Sequence, residues 1–247
     1  MTRIGIILIV IAIATGTALA YVSLPGGFGR IQLRTYKTAL NYCNDLPTSE
    51  QVSTDSFTEQ AFHASTIVKE LIRSSSYAIS SHDYETGQFQ ELEELVTKQL
   101  SHYDGIRGFF SIYLTQEGAD TPADAEVMPA PLSRAMKSVD MALLAPLACM
   151  NVIRPVVMAC WHTDPILKEN SAKTGERGKK VLTYLKGSIN FEKNFEAIYA
   201  VASGKSMENV DEKLVKFWDD VFVENNYSEE QKKSIAETFV GFVTVKN

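Results

Sequence analysis

The chain has 247 residues, 45% of them hydrophobic and 22% charged, the proportions of a folded globular protein rather than a disordered one. Its 30 acidic and 24 basic residues give a formal net charge of −6, which lacks the concentrated Lys and Arg of a nucleic-acid surface and excludes that partner class. Three cysteines are too few for a disulfide scaffold.

The N-terminus carries the clearest signal. Arg3 gives a positive start, "IGIILIVIAIA" is a continuous apolar run, and "TGTALA" ends in small residues with Ala18 and Ala20 in an A-x-A arrangement. That is the three-part pattern of a secretory signal peptide over residues 1–20. Residues 4–22 are also about as long as an apolar segment needs to be to cross a bilayer, so an uncleaved membrane anchor is the rival expectation. Arg3 on one side and Arg30, Arg34 and Lys37 on the other leave the orientation of such an anchor open. The expected location is extracytoplasmic (periplasm, lumen or secreted) or single-pass membrane-anchored.

Residues 21–30, "YVSLPGGFGR", read as a Pro/Gly spacer, and residues 31–247 as a single helical domain. "IQLRTYKTALNYCND" is spaced as a short helix. Ser56 and Glu59 then fit a capping box, opening a helix through Phe62, Ile67, Val68, Leu71, Ile72 and Ile79. A further helix runs through Phe89, Leu92, Leu95, Val96, Leu100 and Tyr103, with Asp104-Gly105 as its stop. "IRGFFSIYLT" suits strand or helix by composition. With no alternating neighbour to pair with, helix is expected.

The acidic, Pro-rich stretch 116–133 is expected to be an exposed loop, with a subdomain junction as the alternative. A buried helix follows over about 146–162. Asp164-Pro165 is an N-cap with proline at the first helical position, although Gly175 and Gly178 count against one unbroken helix beyond it. Helices through Phe191, Phe195, Ile198 and Tyr199 and through Val210, Leu214, Phe217, Trp218 and Val221 come next. Ser228 and Gln231 form a second capping box before the last helix. The fold class that follows is all-α, an irregular bundle of about seven helices behind an N-terminal hydrophobic leader. Phe62, Leu71, Leu92, Leu147, Val157, Leu214, Phe217 and Phe239 are its expected core.

Catalytic signatures are missing: there is no H-E-x-x-H, C-x-x-C, G-x-S-x-G or strand-borne G-x-G-x-x-G. "SGKS" at 203–206 follows a helix, and Tyr199 stands where a phosphate loop needs glycine. "GIRG" at 105–108 could hold an anion, but a helix-end role for Gly105 is the better expectation. Carboxylates follow histidines at His82-Asp83, His102-Asp104 and His162-Asp164. Residues two apart face different sides of a helix, so neither a metal site nor any cofactor is expected. Each histidine lies near a predicted helix C-terminus, where positive charge offsets the dipole.

The stretch "ACMNVIRPVVMACWHTD", 148–164, holds the candidate ligand site. At ~100° per residue, Asn151, Arg154, Pro155 and His162 fall within about a third of the helix circumference. Pro155 also cannot donate to the carbonyl of Asn151, which adds a free acceptor to that stripe. Asn151, Arg154 and His162 are thus the candidate ligand-binding residues, although the preferred reading is structural, with Arg154 and Asn151 satisfying that carbonyl and neighbouring helix ends. Cys149 and Cys160 lie roughly 16 Å apart along one helix and cannot bridge each other, whereas Cys43 could pair with either.

With no nucleophile and base in sight, catalysis is not expected. The chain reads as an exported or membrane-tethered helical protein that binds a partner protein or aids assembly in the cell envelope. A small-ligand carrier or enzyme using the stripe is one alternative. A single-pass structural subunit of a membrane protein complex, held by residues 4–22, is another.

Overall fold

A computed structural model describes residues 20–24, 27–31, 46–78, 87–118, 121–205, 207 and 210–243. The fold is all-α, as the periodicity predicts, with ten α-helices among the described residues. One exception stands near the N-terminus. β1 (Ala20–Leu24) and β2 (Gly27–Ile31) pair antiparallel, with Ala20 opposite Ile31 and Leu24 opposite Gly27. Most of the stretch expected to be a Pro/Gly spacer is therefore paired strand.

Where the sequence reading has one domain over 31–247, the chain divides into two compact units, Met1–Ser138 and Val139–Asn247. The first contains α1 (Gln51–Thr54), α2 (Phe57–Ala78), α3 (Gly87–Gln99), α4 (Tyr103–Tyr113) and α5 (Ala130–Ser138). The single turn α1 and helix α5 are additions that periodicity did not single out. Helix α2 packs chiefly on α4, and α3 on α5. Gly108 lets α4 approach α2 closely: a Cβ there would lie 2.6 Å from Gln60 Cβ and 2.9 Å from the Ala61 nitrogen.

Two helix boundaries differ from expectation for physical reasons. Helix α3 stops at Gln99, and α4 starts at Tyr103 behind His102, whose ring accepts the Gly105 amide at 3.2 Å. Gly105 is therefore inside α4 rather than past a helix end. A Cβ on it would collide with the Gln99 carbonyl and sit 2.6 Å from His102 Nε2. Arg107 of the same "GIRG" lies 4.5 Å from the Phe57 ring centroid and 5.1 Å from that of Tyr103, and pairs with Asp104 at 3.3 Å. Its cation thus clips α4 to the start of α2.

The stretch 116–133 is not an exposed loop throughout. Helix α5 begins at Ala130, and Thr121, Pro122 and Ala123 are buried, tied back by Tyr113 Oη donating to the Pro122 carbonyl at 3.2 Å.

The second unit contains α6 (Met141–Trp161), α7 (Pro165–Leu185), α8 (Ile189–Ser203), α9 (Glu212–Glu224) and α10 (Glu229–Phe239), ending in a 3₁₀ turn at Val240–Phe242. Asp164 caps α7 as expected, accepting from Ile166 and Leu167 with Pro165 behind it. Helix α7 is unbroken, and one of its two glycines, Gly178, admits close packing against α6. A Cβ on Gly178 would lie 2.8 Å from Val152 Cγ2, while one on Gly175 finds nothing nearer than 3.7 Å. Both halves of the Ser228–Gln231 capping box form. At Ser56 only the Glu59 half is present, with the Ser56 hydroxyl donating to the Glu59 carboxylate at 2.7 Å.

Of the expected core, Leu71, Leu92, Val157 and Phe239 are buried. Leu147 and Leu214 are half-buried, and Phe62 and Phe217 are 45% and 44% exposed. Helical spacing located the right side of each helix but not the edge of its buried sector. On α9 that sector is centred on Trp218 and Phe222. Trp218 is fully buried and donates from Nε1 to Asn194 Oδ1 at 2.9 Å, so its polar edge is satisfied inside the core.

Candidate functional site

Helix α6 lines the candidate site, and its sequence explains its form. Asp140 opens it by accepting the Ala142 amide at 2.9 Å, and Pro146 and Pro155 lie inside it. By length and apolar composition it is the one helix among the described residues long enough to cross a membrane. Within unit 2 it packs on α7, α8 and α10. Its buried residues are Leu144, Ala145, Ala148, Cys149, Val152, Ile153 and Val157. Asn151, Arg154, Pro155 and His162 are all half-buried.

Each predicted polar group has its own role there. Asn151 Nδ2 donates to the Leu147 carbonyl one turn earlier, at 3.0 Å. The carbonyl of Asn151, deprived of a donor by Pro155, lies 3.1 Å from where a Cβ on Gly178 would sit. The missing side chain of Gly178 thus lets the backbone of α7 cover this acceptor. His162 ends α6: its amide donates to the Met158 carbonyl at 2.9 Å, and its ring centroid lies 6.2 Å from that of Trp161. Its position at a helix C-terminus is the expected one. His102 departs from that pattern as the N-cap of α4, and His82 lies outside the described residues.

Arg154 meets a residue that sequence reasoning missed. Helix α9 ends in a Schellman motif: the Tyr227 amide donates to the Phe222 carbonyl at 3.2 Å, and the Asn226 amide to the Val223 carbonyl at 3.0 Å. Asn226 takes the left-handed conformation at φ 52°, and the Tyr227 and Phe222 rings meet edge-on at 5.3 Å, the apolar contact that accompanies this motif. The motif places the Tyr227 phenol in a largely buried position within the electrostatic reach of Arg154. Burial pushes the phenol up to about 12, an effect the Arg154 cation partly offsets. At neutral pH the phenol is therefore protonated beside a permanently charged guanidinium. "Asn-Asn-Tyr" after an amphipathic helix was the available signal for this cap.

Cys149 is buried, and burial holds its thiol well above the usual range. Cys160 is exposed, 3.2 Å from Ser234 Oγ on α10, and neither is in a disulfide among the described residues. Cys43, the proposed partner of either, lies outside the described residues. No group of three or more His, Cys, Asp or Glu among the described residues is arranged to hold a metal ion.

A second feature of unit 2 is its exposed apolar surface. On α9, Leu214, Phe217 and Val221 lie along one stripe beside the buried Trp218 and Phe222. Phe217 packs edge-on against Trp218, with centroids 5.0 Å apart, and leaves the rest of its ring in solvent. At the turn between α6 and α7, Trp161 and Ile166 are 50% and 69% exposed. No protein-family model matches this sequence, and no curated protein and no solved structure is significantly similar to it.

Proposed function

We propose that this chain is a non-catalytic helical protein, exported or membrane-tethered through its N-terminal segment, that binds a partner protein in the cell envelope through unit 2. The observation that carries the reading is the stripe of Leu214, Phe217 and Val221, in which a large aromatic ring stands 44% exposed beside a fully buried tryptophan. An aromatic anchor on a packed base is the composition of a binding hot spot. The leader pattern of residues 1–22 supports the envelope assignment. The polar groups on α6 support the non-catalytic reading, because the Asn151 side chain is engaged by the Leu147 carbonyl of its own helix.

A photo-reactive side chain at position 217, introduced in living cells, tests this. It should give a discrete adduct with one partner, and Val221→Asp should abolish that adduct without unfolding the protein. The same probe at Lys216, on the charged side of α9, should give none. Equal adducts from 216 and 217, or none from 217, would remove the basis for the proposal.

A further inference from the structure

Residues 46–55 form a strap on unit 1, wound into one turn by a reciprocal pair: the Thr48 amide donates to Gln51 Oε1 at 2.8 Å, and the Gln51 amide to Thr48 Oγ1 at 3.3 Å. The strap is held from outside by three polar side chains and by the buried Val52. Gln60 Nε2, with two hydrogens, is shared among the carbonyls of Gln51, Val52 and Asp55 at 3.1–3.3 Å. His63 Nε2 meets Asp55 Oδ2 at 2.7 Å, and His102 Nε2 meets the Val52 carbonyl at 2.8 Å.

We propose that His102 makes this strap acid-releasable: the neutral ring clamps Val52 while capping α4, and the protonated ring cannot do both. The tautomer follows from the partners. A carbonyl only accepts, so Nε2 carries the hydrogen that binds Val52. The Gly105 amide only donates, so Nδ1 presents its lone pair, at 3.2 Å. Protonation puts a second N–H on Nδ1, facing the Gly105 N–H and the positive end of the α4 dipole. Both contacts are made by one rigid ring, so turning Nδ1 away from the Gly105 amide also turns Nε2 away from the Val52 carbonyl. Leaving the cap therefore means leaving Val52 as well, and Gln60 has no spare hydrogen to replace the lost bond.

Among the described residues, the charged groups on the elements packed around His102 are paired elsewhere or exposed. Asp55 is taken by His63, and Asp104 by Arg107. Glu59 is held below the usual carboxylate range, first by the Ser56 hydroxyl, and Glu50 of the strap and Lys98 of α3 are exposed. His63 does not share the switch, since its Nε2–H donates to Asp55 in either charge state. The strap thus stays hinged at Asp55 while residues 46–54 let go. Fully extended, these nine residues reach about 30 Å, which lengthens the connection between unit 1's helices and whatever the N-terminal segment is attached to.

Amide hydrogen exchange on the full chain tests this at about pH 7.5 and about pH 5.5, the range over which imidazole charge changes. After correction for intrinsic rates, protection of the Val52–Asp55 amides should fall about tenfold or more at the lower pH, the scale of one lost hydrogen bond, while the cores of α2 and α4 hold. His102→Asn keeps an acceptor for the Gly105 amide and takes no proton, so its strap should be equally protected at both values. Should that variant not fold, the nitrogen resonances of the wild-type His102 ring give a second reading. Their change from the Nε2–H form to the doubly protonated form should share its midpoint with loss of strap protection. Unchanged protection in the wild type, an acid effect that persists in His102→Asn, or two different midpoints would each overturn the proposal.

Discussion

Arg154 shows how a residue that looks like a ligand contact in sequence acquires a partner only in the fold. Tyr227, whose phenol feels its charge, is 73 positions away, just past the cap of α9. The phenol has a consequence for stability. Its folded value of about 12 lies above the ordinary 10, so the neutral phenol is favoured in the native state. A raised folded value gives stability that is complete below about pH 10 and is lost as the pH rises toward about 12. Tyr227→Phe should remove that alkaline loss, and Arg154→Ala should move the phenolate transition still higher by removing the nearby cation. Ultraviolet difference titration of the two variants against wild type measures both effects. A Tyr227 transition near 10 in the wild type would contradict the burial.

Helix propensity counts both glycines of α7 as defects, but the α6–α7 contact depends on only one of them. Gly178 sits where a Cβ would press on Val152 Cγ2 at 2.8 Å and on the Asn151 carbonyl at 3.1 Å. Gly178→Ala should therefore destabilise by ~1–3 kcal/mol through overpacking. Gly175 has room, with its nearest neighbours at 3.7 Å, so Gly175→Ala should stabilise by ~0.5–1 kcal/mol through reduced backbone entropy. Thermal or urea melts of the two variants should move in opposite directions. Equal shifts would mean that the contact at the Pro155 break is not close. The same comparison explains why the sequence reading doubted α7: intrinsic propensity sees the entropy cost of glycine, and only the neighbouring helix shows what the missing side chain admits.

For the whole molecule, the division at Ser138–Val139 gives each unit its own core. In unit 2 that core is the ring cluster of Phe191, Phe195, Phe239 and Phe242, with centroids 4.9–6.1 Å apart, beside Trp218. A fragment of residues 139–247 should then fold alone, with helical circular dichroism and one cooperative transition. It should also keep the blue-shifted fluorescence of a buried Trp218, read in a Trp161→Phe background. A fragment with the emission of exposed tryptophan would show that the cut passes through a shared core.

Spacing and turn chemistry along the chain suffice for the all-α class, the caps at Asp164 and Ser228 and the helical run through 148–161. These are local matters, set by spacing along one helix and by hydrogen bonds within one turn. Tertiary structure decided the rest. It exposed Phe217 rather than Trp218, because neighbours on a helix wheel differ only by which side another helix covers. It made His102 an N-cap, because a three-residue break depends on whether Gly105 can meet its ring. It brought Tyr227 to Arg154 and Gly178 to the carbonyl freed by Pro155, pairings that no periodicity encodes because the partners come from different helices.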